Sequence, residues 1–141
     1  MASHTVTTVW KENMQFETDN PSGHKVFIDV GEESGGKGEG LRPKAMMLSA
    51  LAGCSGLDII PLLNKMRTSI TDLKMEVTGE LTEEHPKYYH IVTVDYHFYG
   101  TDLNEEKINK AVKLSVDKYC GVMEMFRKFS EVKITSHFHN Q

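Results

Sequence analysis

The chain has 141 residues, 26% of them charged, and a formal net charge of −4. That length is one domain's worth, long enough to bury a core without staples. With no basic block, nucleic acid and anionic membrane surfaces are excluded as main partners, and two cysteines exclude a disulfide scaffold.

The opening segment MASHTVTTVWK lacks the apolar stretch of a leader peptide, so a cytoplasmic protein with reduced thiols is expected. Residues 1–30 read as N-terminal strands. Residues 5–11 and 13–18 are rich in Val, Thr and aromatics, and Asn20-Pro21-Ser22-Gly23 is a turn cluster. In residues 24–30, Val26, Ile28 and Val30 alternate with Lys25, Phe27 and Asp29. Three short strands joined by turns predict an antiparallel meander.

Residues 31–41 begin with GEESGGKGEG, which reads as a flexible, solvated linker. Gly31, Gly36 and Lys37 come near the phosphate-loop pattern, but Gly38 supplies no hydroxyl for a metal. Glu32, Glu33 and Glu39 would repel phosphate, so a nucleotide site is rejected.

Residues 42–141 form the body of a single domain, organised around RPKAMMLSALAGCSGLDIIPLLNKMR. From Ala45 to Leu57 it carries no charge, and its apolar and small residues go nearly all the way round. Such a helix is expected to be buried on every side, and the uncharged run falls short of the about 20 residues of a membrane span. Pro43 suits the first turn, and Pro61 predicts a kink or restart near residues 55–58.

Residues 72–81 and 88–99 alternate cleanly, the first with Leu73, Met75, Val77 and Leu81 inward, the second with Val92, Val94, Tyr96 and Phe98. They predict a long hairpin with one wet face. Residues 103–119 read as a helix with Ile108, Ala111, Val112, Ser115 and Tyr119 inward. Residues 121–129 read as a short helix with Val122, Met125, Phe126 and Phe129 inward, and residues 131–138 as a closing strand. The fold class is α+β, antiparallel sheets around a central buried helix. The apolar helix needs more cover than one chain gives, which predicts a dimer that shares its face.

Two residues stand out for chemistry. Cys54 lies in the apolar helix, where a free cysteine often serves as a small filler. Asp58, one turn on, would work against its ionisation. Cys120 falls at the head of the short helix, where the helix N-terminus lowers thiol pKa values and Lys118 would assist, so Cys120 is expected to be the more acidic thiol. Both lie in helical segments expected to pack together, and two thiols that meet can cycle between dithiol and disulfide.

LRPKAMMLSALAGCSGLDII, followed later by DKYCGVMEMFRK, resembles the OsmC/Ohr family of osmotically inducible and organic-hydroperoxide-resistance proteins, closest to an OsmC-like branch. The resemblance covers nearly the whole chain. It implies an intertwined homodimer with sites at the interface, in which Cys54 attacks an organic hydroperoxide and Cys120 resolves the sulfenic acid. It also implies a dithiol reductant such as a lipoylated protein, with no cofactor. The classical members use an arginine from the N-terminal strands and a glutamate ten residues before the first cysteine. Here there is no arginine before Arg42, and Lys44 occupies the glutamate's place. Arg42 and Lys44 are the candidates for assisting charge. That departure leaves a second reading open: a non-peroxidatic OsmC-like protein holding a small apolar or thiol-containing ligand in the interface pocket. His137 and His139 share a strand face and His97 lies in another strand, but no three ligands with metal spacing are apparent, so no metal is expected.

Overall fold

The computed structural model describes residues 2–141, in two compact units that divide at Met47 and Leu48. In the first unit, β1 (Thr8–Glu12), β2 (Gln15–Thr18) and β3 (Val26–Ile28) form the expected antiparallel meander. The strands are shorter than the sequence suggests. Pairing begins at Thr8 opposite Thr18, and a register shift between Trp10 and Glu12 leads into the turn at Asn13.

The glycine-rich segment is an ordered loop, which corrects the expectation of a flexible linker. It folds around Asp29, whose nearly fully buried carboxylate accepts hydrogen bonds from the amides of Val30 (2.8 Å), Lys37 (3.3 Å) and Glu39 (3.2 Å). Burial alone would raise its pKa. The Glu39, Val30 and Lys37 amides and the Lys37 charge outweigh that and hold the carboxyl below its usual value. Gly36 is required here, because a Cβ would sit 2.1 Å from the Val30 carbonyl oxygen. The loop's amides are already taken by the protein's own carboxylate.

α1 (Pro43–Lys65) runs into the second unit as one unbroken helix. The expected restart at residues 55–58 is absent. Pro61 removes the donor to the carbonyl four residues back, at Leu57, and both residues are exposed, so that carbonyl is not stranded in the core. The expectation of burial on every side is also corrected. Within this chain only Leu51, Ser55, Ile59 and Leu63 are buried, one stripe at four-residue spacing, while Leu57 is 79% exposed. The helix is long and apolar enough to cross a membrane, yet its stripe belongs to the protein core.

The second sheet has the order β4 (Asp72–Leu81), β5 (Tyr89–Gly100), β6 (Glu131–Asn140). β4 and β5 form the expected antiparallel hairpin. β6 pairs parallel to β5, so this sheet is mixed rather than antiparallel. Two helices carry the chain back to the start of the neighbouring strand, as a parallel connection requires. The inner face is set by register: Leu73, Phe98 and Phe138 lie in one row, Met75, Tyr96 and Ser136 in the next, Val77, Val94 and Ile134 in the third. Val92, Val94, Tyr96 and Phe98 are fully buried, while Leu81 at the hairpin end is exposed.

The long helix expected over residues 103–119 divides. α2 (Glu105–Leu114) starts at Asn104, whose side chain accepts from the Lys107 amide at 3.1 Å, with Glu105 and Glu106 complementing the helix dipole. At Ser115 it widens into a π-helical segment through Tyr119, which puts Tyr119 on the surface rather than inward. α3 (Gly121–Arg127) follows. Its buried residues are Met123 and Phe126, in phase with Cys120 at three-residue spacing. Met125 is 64% exposed and Phe129 is exposed too, against expectation.

Two truncations test this phase. Phe126→Ala should destabilise the protein by about 3–5 kcal/mol, and Met125→Ala by less than about 0.5 kcal/mol. Urea unfolding followed by circular dichroism reads both, and equal losses would contradict the α3 orientation.

Candidate functional site

Cys54 sits on α1 beside Ser55, and Cys120 caps α3. Both are free thiols, Cys54 half-buried and Cys120 buried. Cys54 is near enough to Cys120 to bear on its thiol as a neighbouring group. The Cys120 sulfur accepts the Met123 amide at 3.4 Å, the cap geometry expected of a helix N-terminus.

The electrostatic outcome is the reverse of the sequence expectation. Burial pushes the Cys120 thiol up to about 12, and the adjacent Cys54 and the charge of Asp58 push the same way; the Met123 amide opposes them and loses. α3 has only seven residues, so its dipole is weak against this desolvation. Lys118 is turned to the Tyr119 ring, 5.2 Å from its centre.

Behind the thiols lies a buried chain of hydroxyls that sequence reading missed. Ser55 Oγ is 2.7 Å from the Tyr96 hydroxyl and 2.8 Å from Ser115 Oγ. Ser115 Oγ is 3.0 Å from Asp58 Oδ2. An ionised carboxylate only accepts, so Ser115 donates to Asp58, Ser55 to Ser115, and Tyr96 to Ser55. The Ser115 carbonyl in turn accepts the Cys120 amide at 2.8 Å. Burial, with the nearby Cys120 and Asp58, lifts the Tyr96 hydroxyl to about 12 although Ser55 pulls the other way, so Tyr96 stays a donor. The available signal was a serine inside an apolar helix, matched by inward Ser115 and Tyr96 elsewhere.

Arg42 and Lys44 are exposed at the start of α1, and both precede the unit that holds the thiols. Ten helical residues between Lys44 and Cys54 rise about 15 Å. An apolar cleft of about 720 Å³ opens on the exposed flank of α1, lined by Gly53, Gly56, Leu57, Ile60, Leu73 and Met75 among others.

Three of the seven histidines gather on the wet face of the second sheet. His97 Nδ1 lies 3.0 Å from His139 Nε2, its Nε2 lies 3.0 Å from Glu76, and His137 Nε2 lies 2.8 Å from Asp95. Ring stacking at 4.5 Å joins His97 to His137. Among the described residues no three such groups converge on a metal position.

A long helix bearing one thiol, a mixed sheet, and a second thiol at a helix cap together describe an α+β two-thiol protein. The family model described as OsmC-like protein matches residues 36–135, and the chain belongs to that family. Protein YhfA of Escherichia coli K12 is 34% identical over 119 residues, covering 84% of this chain and 86% of that one. A hypothetical protein from Aquifex aeolicus VF5 superposes with a TM-score of 0.87 at 28% identity, covering 100% of this chain and 99% of its own. The organic hydroperoxide resistance protein OsmC of Legionella pneumophila shares the fold, with a TM-score of 0.71 at 19% identity over 97% of this chain and 98% of that one.

The raised Cys120 and Tyr96 values have a consequence at alkaline pH. Below about pH 9 both groups are protonated folded or unfolded, and their contribution is fully present. As pH rises from the ordinary values of 9.0 and 10.0 towards about 12, the unfolded chain releases its protons first, so stability falls. Urea unfolding from pH 8 upward should show this decline, and Cys120→Ala should delay its onset by about one pH unit, the gap between the ordinary thiol and phenol values.

Proposed function

We propose that this protein reduces organic hydroperoxides with Cys54 and Cys120. A half-buried thiol that neighbours a buried one carries the reading, and membership of the OsmC-like family supports it. Cys54, the more accessible, attacks as thiolate the distal oxygen of the hydroperoxide. The O–O bond breaks, Cys54 becomes a sulfenic acid, and the alkoxide leaves as alcohol after taking a proton. The Cys120 sulfur then attacks the Cys54 sulfur; its thiol proton and the sulfenic hydroxyl leave as water, and a disulfide remains. A small dithiol, a lipoylated protein being one source, returns both thiols by exchange. The raised pKa of Cys120 works against the resolving step, because the thiolate is the nucleophile, so its proton has to be lost as the sulfur attacks. Positive charge for the Cys54 thiolate is assigned to Arg42 or Lys44 acting across the proposed dimer, since along one helix Lys44 stands about 15 Å from Cys54.

Stopped-flow mixing with cumene hydroperoxide tests this. Cys54→Ser should abolish hydroperoxide consumption, reducing the rate by at least about a thousandfold. Cys120→Ser should keep the first oxidation and stop at a sulfenic acid that dimedone traps. Consumption unaffected by Cys54→Ser would sink the proposal.

A second reading has its own observation. The apolar cleft beside Gly53, taken with the absent family arginine and glutamate, supports a protein that binds a small apolar or thiol-containing ligand. Inert thiols in the stopped-flow test would leave this reading in place.

The active form is proposed to be a homodimer, supported by exposed Leu57 and Ile60 on the open flank of α1. Sedimentation should give a dimer at micromolar concentration, and Leu57→Glu should give a folded monomer. A wild-type monomer under those conditions would refute it.

A further inference from the structure

We propose that the hydroxyl chain Tyr96–Ser55–Ser115–Asp58 is a positioning device that sets the separation of the two thiols. The inference rests on the two-thiol reading and adds residues to it.

Ser55 is the residue after Cys54, and its hydroxyl donates to Ser115 Oγ at 2.8 Å while Ser115 gives its own proton to Asp58 Oδ2 at 3.0 Å. Ser115 also holds the Cys120 amide through its own carbonyl at 2.8 Å. A hydrogen-bonded route from one cysteine's backbone to the other's therefore passes through the Ser55–Ser115 contact. Tyr96, on the central strand β5 and fully buried, pins that contact to the sheet. A disulfide needs Cα atoms within about 7 Å and a narrow torsion range, so a slip of an ångström at this contact decides whether the sulfurs can join.

The π-helical segment gives the slip a direction. Its closing bond, from the Cys120 amide to the Ser115 carbonyl, spans five residues and leaves Cys120 extended at φ −79°, ψ 101°. If the Ser115 side chain releases α1, that turn is free to relax towards ordinary helical pitch, carrying Cys120 away. Asp58 fixes the polarity. As the acceptor-only end it forces every hydroxyl to donate in one direction, and without an acceptor there Ser115 and Ser55 lose their single consistent arrangement.

The test is the thiol–disulfide equilibrium of the pair against glutathione, with no hydroperoxide present, read as the effective concentration of Cys120 at Cys54. Urea unfolding of each variant establishes that it is folded. Ser115→Ala and Asp58→Ala should each lower the effective concentration by about tenfold, the size expected when a hydrogen bond to a charged group is lost. Tyr96→Phe, which fills the same space, should lower it several-fold. Asp58→Asn keeps an amide oxygen as acceptor and should stay within about threefold of wild type, a rescue that a charge effect would not give.

A purely structural role would lower the unfolding free energy of these variants and leave the pairing equilibrium within twofold, which overturns the inference. Asp58 is only part-buried and Tyr96→Phe conserves volume, so those two variants decide the matter if Ser115→Ala does not fold. A wild-type protein that forms no Cys54–Cys120 disulfide at all would overturn this inference and the two-thiol reading together. A wild-type disulfide indifferent to all the variants would overturn this inference alone.

Discussion

A hydroxyl sealed away from water must find a partner, and the second unit is arranged around meeting that demand at Ser55. Ser55 lies between Leu51 and Ile59 on the only buried stripe of α1, where an unbonded hydroxyl would cost a few kcal/mol. Tyr96 and Ser115 satisfy it from two other elements. Apolar packing alone tolerates sliding, whereas three hydroxyls at about 2.8 Å do not. Helix, strand and π-helical turn are thereby held to one register, and no buried side-chain polar atom among the described residues is left without a bond.

The chain uses two carboxylates, buried Asp29 and part-buried Asp58, in opposite ways. Asp29 gathers three amides around itself, so its charge is spent in organising a loop and acts on nothing else. Asp58 has one short bond to Ser115, and its charge adds to the burial that raises Cys120 and Tyr96. The difference is the supply of backbone donors: a glycine-rich turn can aim several amides at one point, while Asp58 sits in mid-helix, where the amides are already committed to the helix itself. The helix-cap argument for an acidic Cys120 failed for a related reason. A seven-residue helix offers one amide to a sulfur removed from water, and desolvation wins.

The strands of the second sheet were legible because each has one wet and one buried face, so polarity alternates with the period of two that the eye can follow in Leu73, Met75 and Val77 or Val92 to Phe98. The direction of β6 was not, because alternation carries no sign of whether the neighbour runs parallel. α1 misled for a different cause: an apolar side chain looks the same in sequence whether this chain or another surface covers it, and Leu57 and Ile60 are uncovered here. The break at Ser115 was hidden because a π-helical turn shifts the phase of a helix by one residue without changing composition. That shift is what sends Tyr119 outward and brings Cys120, Met123 and Phe126 into line. The cysteines were found as residues, and their nearness was expected because both lie in helical segments that should pack together, a reading the family resemblance reinforced; of the hydroxyls beside them the one trace was a serine inside an apolar helix.

The parallel pairing of β5 with β6 also sets an order of events during synthesis. β4 and β5 are hairpin neighbours and can close as soon as Gly100 has been made, but the other edge of β5 waits for a strand that begins at Glu131. Until then the strand that carries the fully buried Val92, Val94, Tyr96 and Phe98 has a row of unpaired amides and carbonyls along one edge. This is a template for another nascent chain as much as for β6. Loop closure over that distance is slow relative to the hairpin, so protection falls to the intervening helices, whose apolar faces can shelter the inner surface before the edge is filled. On this view α2 and α3 act as an internal chaperone for β5 before they serve as the mount for Cys120.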